Sequence, residues 1–371
     1  MKILFDHQVF IWHKRGGVSR YFAELMKQIA TMKDVSYELP LINNQNIHLA
    51  ENGIKNSFFN RLASHSFIAD SKLKQYLDYT DTYNVIRTLK KQQFDVFVPT
   101  LYETYFLPYI GNKPFVITIH DMIHELFPEY FGETDLYLKQ KKELIKKASK
   151  IAVVSENTKT DLLRVYPETN ADKIYITGTN HAVKPYTSDV GHKLPSRYIL
   201  FVGERGGYKN FNFFIKSMSK ILAADKELFV LCMGGSAFSK EEITLFQQLT
   251  IQKQVVHYIA AEKELYTIYN KALVFVFPSL YEGFGLPTLE AMTSQCPVVL
   301  TDIAVFREVA QDAAVYFDSN NSDELEHAVR ELIYYNTNKE ILIKKGLENV
   351  KRYTWEEIAK RCVHLYQTAM E

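Results

Sequence analysis

Residues 277–300, FPSLYEGFGLPTLEAMTSQCPVVL, run from an apolar strand through a glycine-rich turn and a helix into the next strand. The strand ends at Pro278, and the turn that follows carries Glu282. Gly283 and Gly285 let the backbone bend sharply and approach a ligand closely. Pro287 suits the first turn of a helix beginning near Leu286. The N–H groups and the positive dipole end of that helix favour an anion, so a phosphate fits there. Glu290 follows Glu282 by eight residues, about one turn into the helix. It can face the same space, where its carboxylate would accept hydrogen bonds from a ribose diol. The plainer alternative is a pair of surface glutamates flanking a helix start, which leaves the glycine, proline and strand context to chance.

Outward from this stretch the same alternation continues. Downstream, strand-like runs at 198–203, 228–233, 255–259, 273–277, 297–300 and 314–317 alternate with helical segments at 210–223, 239–250, 262–271, 286–295 and 322–335. Upstream, runs at 2–6, 35–42, 94–98, 115–120, 151–155 and 174–177 are interleaved with helices at 19–32, 71–92, 135–149 and 156–165. Near-continuous apolar strands between helices predict parallel sheets covered on both faces, an α/β chain of two doubly wound halves. At 371 residues the chain exceeds what one core usually organises. Residues 183–197, with two prolines and a glycine, read as the linker. Such sheets bind ligands beyond the carboxyl ends of their strands, so two facing halves predict a site in the cleft between them.

Composition narrows the class. Hydrophobic residues at 47% and charged residues at 23% exclude a disordered or fibrous chain. A net charge of +1 offers no field for nucleic acid. Cys232, Cys296 and Cys362 lack metal-ligand spacing and read as buried thiols in a reducing compartment. The N-terminal MKILFDHQVFIW contains Asp6 and His7 and reads as a first strand, not a signal peptide. No apolar run approaches the ~18–20 residues that span a bilayer. The expected location is cytoplasmic, with membrane contact at most peripheral on the inner face.

Three further stretches carry chemistry. In YILFVGERGGYKNF, 198–211, a strand enters a glycine-rich turn bearing Arg205 and Lys209. Two fixed cations there would stabilise a leaving diphosphate more in the transition state than in the ground state. The plainer reading is a solvated basic turn. In HKRGGVSRYFAEL, 13–25, Gly16 and Gly17 join a strand to a helix, with Ser19 the expected N-cap and Arg20 on the cleft or the surface. In FVITIHDMIHELFPEYF, 115–131, a strand delivers His120 and Asp121 to a carboxyl edge.

These motifs resemble the retaining glycosyltransferases of family 4, which have the GT-B fold of two Rossmann-like domains facing a central cleft. Their hallmark of two glutamates separated by seven residues is matched by Glu282 and Glu290, within EGFGLPTLEAM. The resemblance implies a metal-free transferase that moves a sugar from a nucleotide-diphosphate donor with retention of configuration. Glu282 would contact the donor sugar and Glu290 the ribose. The amides of Gly283, Phe284, Gly285 and Leu286 would face sugar and diphosphate. Arg205 and Lys209 would take the diphosphate, although many members carry arginine directly before the lysine, where this chain has Tyr208. Gly16 and Gly17 match a glycine loop near the diphosphate, His120 a sugar-binding histidine, and Tyr258 and Ile259 the strand end where the base docks. His124 and Glu125 would line the acceptor side. Glu308, preceded by Arg307 where the family often has proline, reads as structural. By the same resemblance the closing helix 355–369 returns to the first domain. The expected domains are 1–184 with 355–371 on the acceptor side, and 195–354 for the donor.

No D-x-D pair offers ligands for a metal clamp, and no G-x-G-x-x-G follows a strand. No P-loop or G-x-S-x-G is present. The alternatives are a nucleotide-sugar epimerase, another GT-B enzyme such as a pyridoxal-phosphate phosphorylase, or a non-catalytic nucleotide-sugar binding protein. GDP-mannose or a UDP-hexose is the expected donor, and a surface polysaccharide such as lipopolysaccharide, or a lipid-linked glycan, the expected acceptor. Segments 56–77 and 138–150 mix basic and apolar residues. They suit either solvated helix faces or an interfacial contact with anionic lipid.

Overall fold

The structure is a computed structural model. It describes the chain except residues 13, 43–45, 55–70, 133, 182, 184, 186, 187, 189 and 191–193, and for 71–78 it describes the backbone alone. Contacts divide the chain into two units, Met1–Thr179 with Tyr353–Glu371, and Asn180–Arg352. Most of the expected interfacial segment 56–77, and much of the expected linker, lie outside the described residues.

The first unit contains β1 (Lys2–Phe5), α1 (Gln8–Trp12), α2 (Gly17–Ile29), β2 (Ser36–Glu38), α3 (Ile47–Glu51), α4 (Ser71–Lys91) and β3 (Val96–Val98). It continues with β4 (Val116–Ile119), α5 (Ile123–Leu126), α6 (Asp135–Lys147), β5 (Lys150–Val153), α7 (Glu156–Val165) and β6 (Ile174–Ile176). Parallel triplets β2-β1-β3 and β4-β5-β6 are joined by one parallel bridge, Phe97 to Phe115. Gly16, not Ser19, is the N-cap of α2. The Ser19 hydroxyl lies inside the first turn and donates back to the Gly16 carbonyl at 3.1 Å.

The second unit contains β7 (Tyr198–Val202), α8 (Phe211–Ala224), β8 (Phe229–Met233), α9 (Lys240–Gln248), β9 (Val255–Tyr258), α10 (Leu265–Lys271) and β10 (Val274–Phe277). Then follow α11 (Leu286–Thr293), β11 (Val298–Thr301), α12 (Ala304–Ala310), β12 (Val315–Phe317), α13 (Ser322–Arg330) and α14 (Lys339–Asn349). The six parallel strands lie in the order β12-β11-β10-β7-β8-β9. Counted within the unit this is the doubly wound order 3-2-1-4-5-6, whose direction of winding reverses between its first and fourth strands, β7 and β10. Connections leaving those two strands diverge to opposite sides and open a crevice at their carboxyl ends. Ile199, Phe201, Val230, Val274, Val276 and Val299 are fully buried under the helices. Each such side chain contributes on the order of 1.5–3 kcal/mol of burial.

The last helix, α15 (Trp355–Thr368), belongs to the first unit and packs along α2. Cys362 meets the Tyr21 hydroxyl at 3.4 Å, and Ile358, Leu365 and Tyr366 are buried in that core. All three cysteines are buried free thiols. Burial pushes Cys362 up to about 11 and Cys296 up to about 12. Among the described residues no helix is long and apolar enough to cross a membrane.

Candidate active site

The turns after β7 and β10 meet at the point where the winding reverses. The Leu280 N–H donates to the Tyr208 carbonyl at 2.8 Å and ties one turn to the other. Beside this tie, the Lys209 ammonium donates to Glu282 Oε1 at 2.5 Å. Each side chain is only 14% exposed, so solvent weakens the pair little. Lys209 Nζ also lies 5.1 Å from the ring centres of Phe277 and Tyr208.

The helix of the opening stretch is α11, and its entry fixes the turn. Gly285 is the N-cap with φ +86°, a left-handed conformation. A Cβ there would lie 2.7 Å from Phe306 Cε1, so glycine is required on both counts. Gly283 and Phe284 are buried, and Leu286 and Pro287 open the helix. The Ser279 and Thr288 hydroxyls, at the strand exit and in the first helical turn, are fully buried and lack hydrogen-bond partners. One turn on, buried Glu290 accepts a hydrogen bond from Tyr269 of α10 at 2.8 Å. Lys209, Glu282, the glycine turn and the start of α11 are thus brought together, with Glu290 on the same helix.

Arg205 does not join this group. Its Nε donates to Glu242 Oε1 at 2.7 Å, and Nη2 donates to the Ser236 carbonyl at 2.6 Å. The arginine is therefore held toward the β8 exit and α9. A cavity of about 530 Å³ opens there, lined by Arg205, Glu242 and Lys216 among others, but not by Lys209, Glu282 or Glu290. Tyr258 ends β9 with its hydroxyl on Glu264 at 3.1 Å, and Ile259 is exposed. Arg307 makes a two-point pair with Asp302 at the surface, and Glu308 follows it on α12.

In the first unit, His120 directly follows β4, with its ring edge-on to Tyr21 of α2 at 5.1 Å. Burial, reinforced by Lys141 and opposed by Asp121, holds the imidazole down at about 4. It is neutral at pH 7, and its Nε2 is buried without a hydrogen-bond partner. Asp121 accepts the Ile123 N–H at 3.1 Å at the entry to α5. His124 lies between Phe131 and Tyr137, with ring centres 4.1 and 4.7 Å away, and burial lowers its pKa as well. Gly16 and Gly17 begin α2, and no atom would crowd a Cβ at Gly17. Arg20 lies in the first turns of the same helix.

The sequence reading missed Lys141. It is fully buried, pairs with Glu125 at 2.9 Å and donates to the Asp121 carbonyl at 2.9 Å, bracing the turn that carries His120. Glu125, expected on the acceptor side, is 4% exposed and also accepts from Tyr166 at 3.3 Å. Residues 138–147 therefore lie in α6, whose apolar side, Leu144 and Ile145, is buried, and Lys150 opens β5. The signal was available: Lys141 falls at helical spacing between Leu138 and Leu144, on the apolar face.

The sequence model described as Glycosyltransferase Family 4 matches residues 15–177, and that described as Glycosyl transferases group 1 matches residues 186–348. The chain is a family 4 glycosyltransferase of the GT-B fold. The transferase is 24% identical to the O-antigen chain mannosyltransferase B of Escherichia coli, over 99% of this chain and 100% of that one. It is 28% identical to the O-antigen chain mannosyltransferase RfbU of Salmonella typhimurium, over 71% and 72% of the two chains. Among solved structures, HepE of Anabaena in complex with UDP and glucose superposes with a TM-score of 0.73 at 14% identity, covering 98% of each chain. The sucrose-phosphate synthase of Thermosynechococcus elongatus gives 0.73 at 18% identity, covering 99% of this transferase and 98% of that chain.

Proposed function

We propose that this transferase moves a hexose from a nucleotide-diphosphate donor to a glycan or lipid-linked glycan in surface polysaccharide synthesis. Mannose from GDP-mannose is the first candidate and a UDP-hexose the second. The named O-antigen mannosyltransferase relatives support this choice of donor and acceptor class. The observation that carries the reading is the Lys209–Glu282 contact, at the reversal of the second sheet and beside the entry to α11.

As the bond from the sugar to the diphosphate breaks, negative charge grows on the leaving oxygen. Lys209 and the first amides of α11 receive that charge, and their attraction strengthens as it develops. An ammonium has three N–H donors, so Lys209 can hold Glu282 and a phosphate oxygen together. Glu282 then has a second oxygen for a sugar hydroxyl, and Glu290 accepts from the ribose. Ser279 and Thr288 offer hydroxyls that lack partners among the described residues. His120, on the first unit and neutral at pH 7, offers one donor and one acceptor nitrogen. The acceptor hydroxyl attacks from the leaving-group face and passes its proton to the departing phosphate oxygen. The sugar keeps its configuration, and no metal is used.

The test is a donor screen followed by product analysis. GDP-mannose, UDP-glucose and UDP-galactose are offered with a lipid-linked glycan acceptor, and the product anomer is read by NMR. Transfer with the donor's own anomeric configuration is expected. An inverted product, or conversion of the donor without any acceptor, would contradict the reading.

A further inference from the structure

Arg205 is 8% exposed, and every nitrogen of its guanidinium has a partner. Besides the contacts already given, Nη2 reaches the Ala237 carbonyl at 3.2 Å and Glu242 Oε2 at 3.4 Å, and Nη1 reaches the Gly234 carbonyl at 3.5 Å. Glu242 is itself fixed, because it closes a capping box with Ser239 at the start of α9. The guanidinium also lies 4.8 Å from the ring centre of Phe238. Its charge is matched by Glu242, and each of its three nitrogens meets a carbonyl or carboxylate oxygen of the protein. Lys209, by contrast, has one carboxylate partner among the described residues.

The loop that Arg205 holds, 234–239, leaves β8 and is secured from its other side by β9. The Gly234 N–H donates to the Tyr258 carbonyl at 2.9 Å, and His257 Nε2 meets the Gly234 and Gly235 carbonyls at 3.0 and 3.2 Å. Gly234 and Gly235 have φ of +84° and +67°, and a Cβ on Gly235 would stand 3.0 Å from the Gly203 carbonyl and 3.1 Å from Arg205 Nη1. The loop is folded tightly against the arginine. At Gly234 it meets the strand end bearing Tyr258 and Ile259.

We propose that Arg205 is a positioning residue that locks the 234–239 loop onto β9 and so shapes the nucleoside end of the donor site, and that it is not a ligand of the diphosphate. This rests on the donor-binding reading above. Specificity for the nucleoside would then depend on a buried ion pair, Arg205 with Glu242, that touches no part of the substrate. Arginine is suited to the task because one planar fork serves the carboxylate and the loop carbonyls together, which a lysine point charge cannot.

The experiment compares wild type with Arg205→Met, Arg205→Lys and Glu242→Gln. Calorimetric dissociation constants are measured for GDP and GMP, and for UDP and UMP. Amide hydrogen exchange is followed across 234–239 without nucleotide. Loss of the clamp should weaken diphosphate and monophosphate by the same factor, on the order of tenfold, as for one lost charged hydrogen bond. Glu242→Gln should reproduce the effect, Arg205→Lys should not rescue it, and loop exchange should accelerate in all three variants. Weakening confined to the diphosphate, with Glu242→Gln silent and Arg205→Lys restored, would make Arg205 a phosphate ligand and overturn the inference. Unchanged loop exchange in Arg205→Met would also overturn it. Wild type that binds none of the four nucleotides would instead remove the donor-binding reading, and the exchange data would still decide the clamp.

Discussion

His120 illustrates how a single side chain is tuned by what surrounds it. Its pKa of about 4 in the folded protein lies below the ordinary 6.5 of the unfolded chain. Stability from keeping the ring neutral is therefore fully present above pH 6.5 and is lost as pH falls toward 4. Wild type should lose on the order of 1–2 kcal/mol more than His120→Asn between pH 7 and pH 5, measured by urea unfolding. Equal losses in the two proteins would contradict the assignment. Lys141 and Arg205 show what could not be read one residue at a time. A lysine or arginine in sequence carries the same charge whether it faces solvent, a phosphate or a buried glutamate. For Arg205, in a turn, the deciding partner Glu242 lies 37 residues away on α9. Glu282 and Glu290 were easier, because the glycines and proline that place them are adjacent in the chain.

At the scale of elements, the entry to α11 depends on one backbone conformation. Gly285→Ala must place a Cβ at φ +86° and within 2.7 Å of Phe306. The left-handed conformation alone costs about 1–2 kcal/mol, and displacing the ring costs about 1–3 kcal/mol more. Thermal unfolding of the variant should fall accordingly, with weaker nucleoside diphosphate binding. Gly17→Ala, where nothing lies within 4 Å, should unfold like wild type. Equal unfolding temperatures for Gly285→Ala and wild type would refute this account of the turn. All twelve strands fell where apolar runs were read, because strands buried on both faces leave an uninterrupted signature. Helices α1, α3 and α5 were not legible, since 4 or 5 residues complete little more than one turn and show no period; α12 and α14 were not read either. The N-cap of α2 was misplaced for a related reason. Serine is the commoner cap by propensity, but the helix begins at Gly17, with extended Gly16 as its cap.

For the whole molecule, the alternation of strand and helix announced two doubly wound units, but it could not give their strand order. That order sets β7 beside β10 and so joins Lys209 to Glu282 across a sequence separation of 73 residues. The return of α15 to the first unit is likewise a tertiary fact, expected only through the family resemblance. The central claim is that the leaving diphosphate is received by Lys209 and the amides of α11 without a metal. Its most direct test is nucleoside diphosphate release from the accepted donor, measured with EDTA present for wild type and Lys209→Ala. Wild-type turnover should survive the chelator, and the variant should fall by on the order of 10²–10³. Undiminished turnover in Lys209→Ala, or a wild-type rate abolished by EDTA and restored by Mn²⁺, would contradict it.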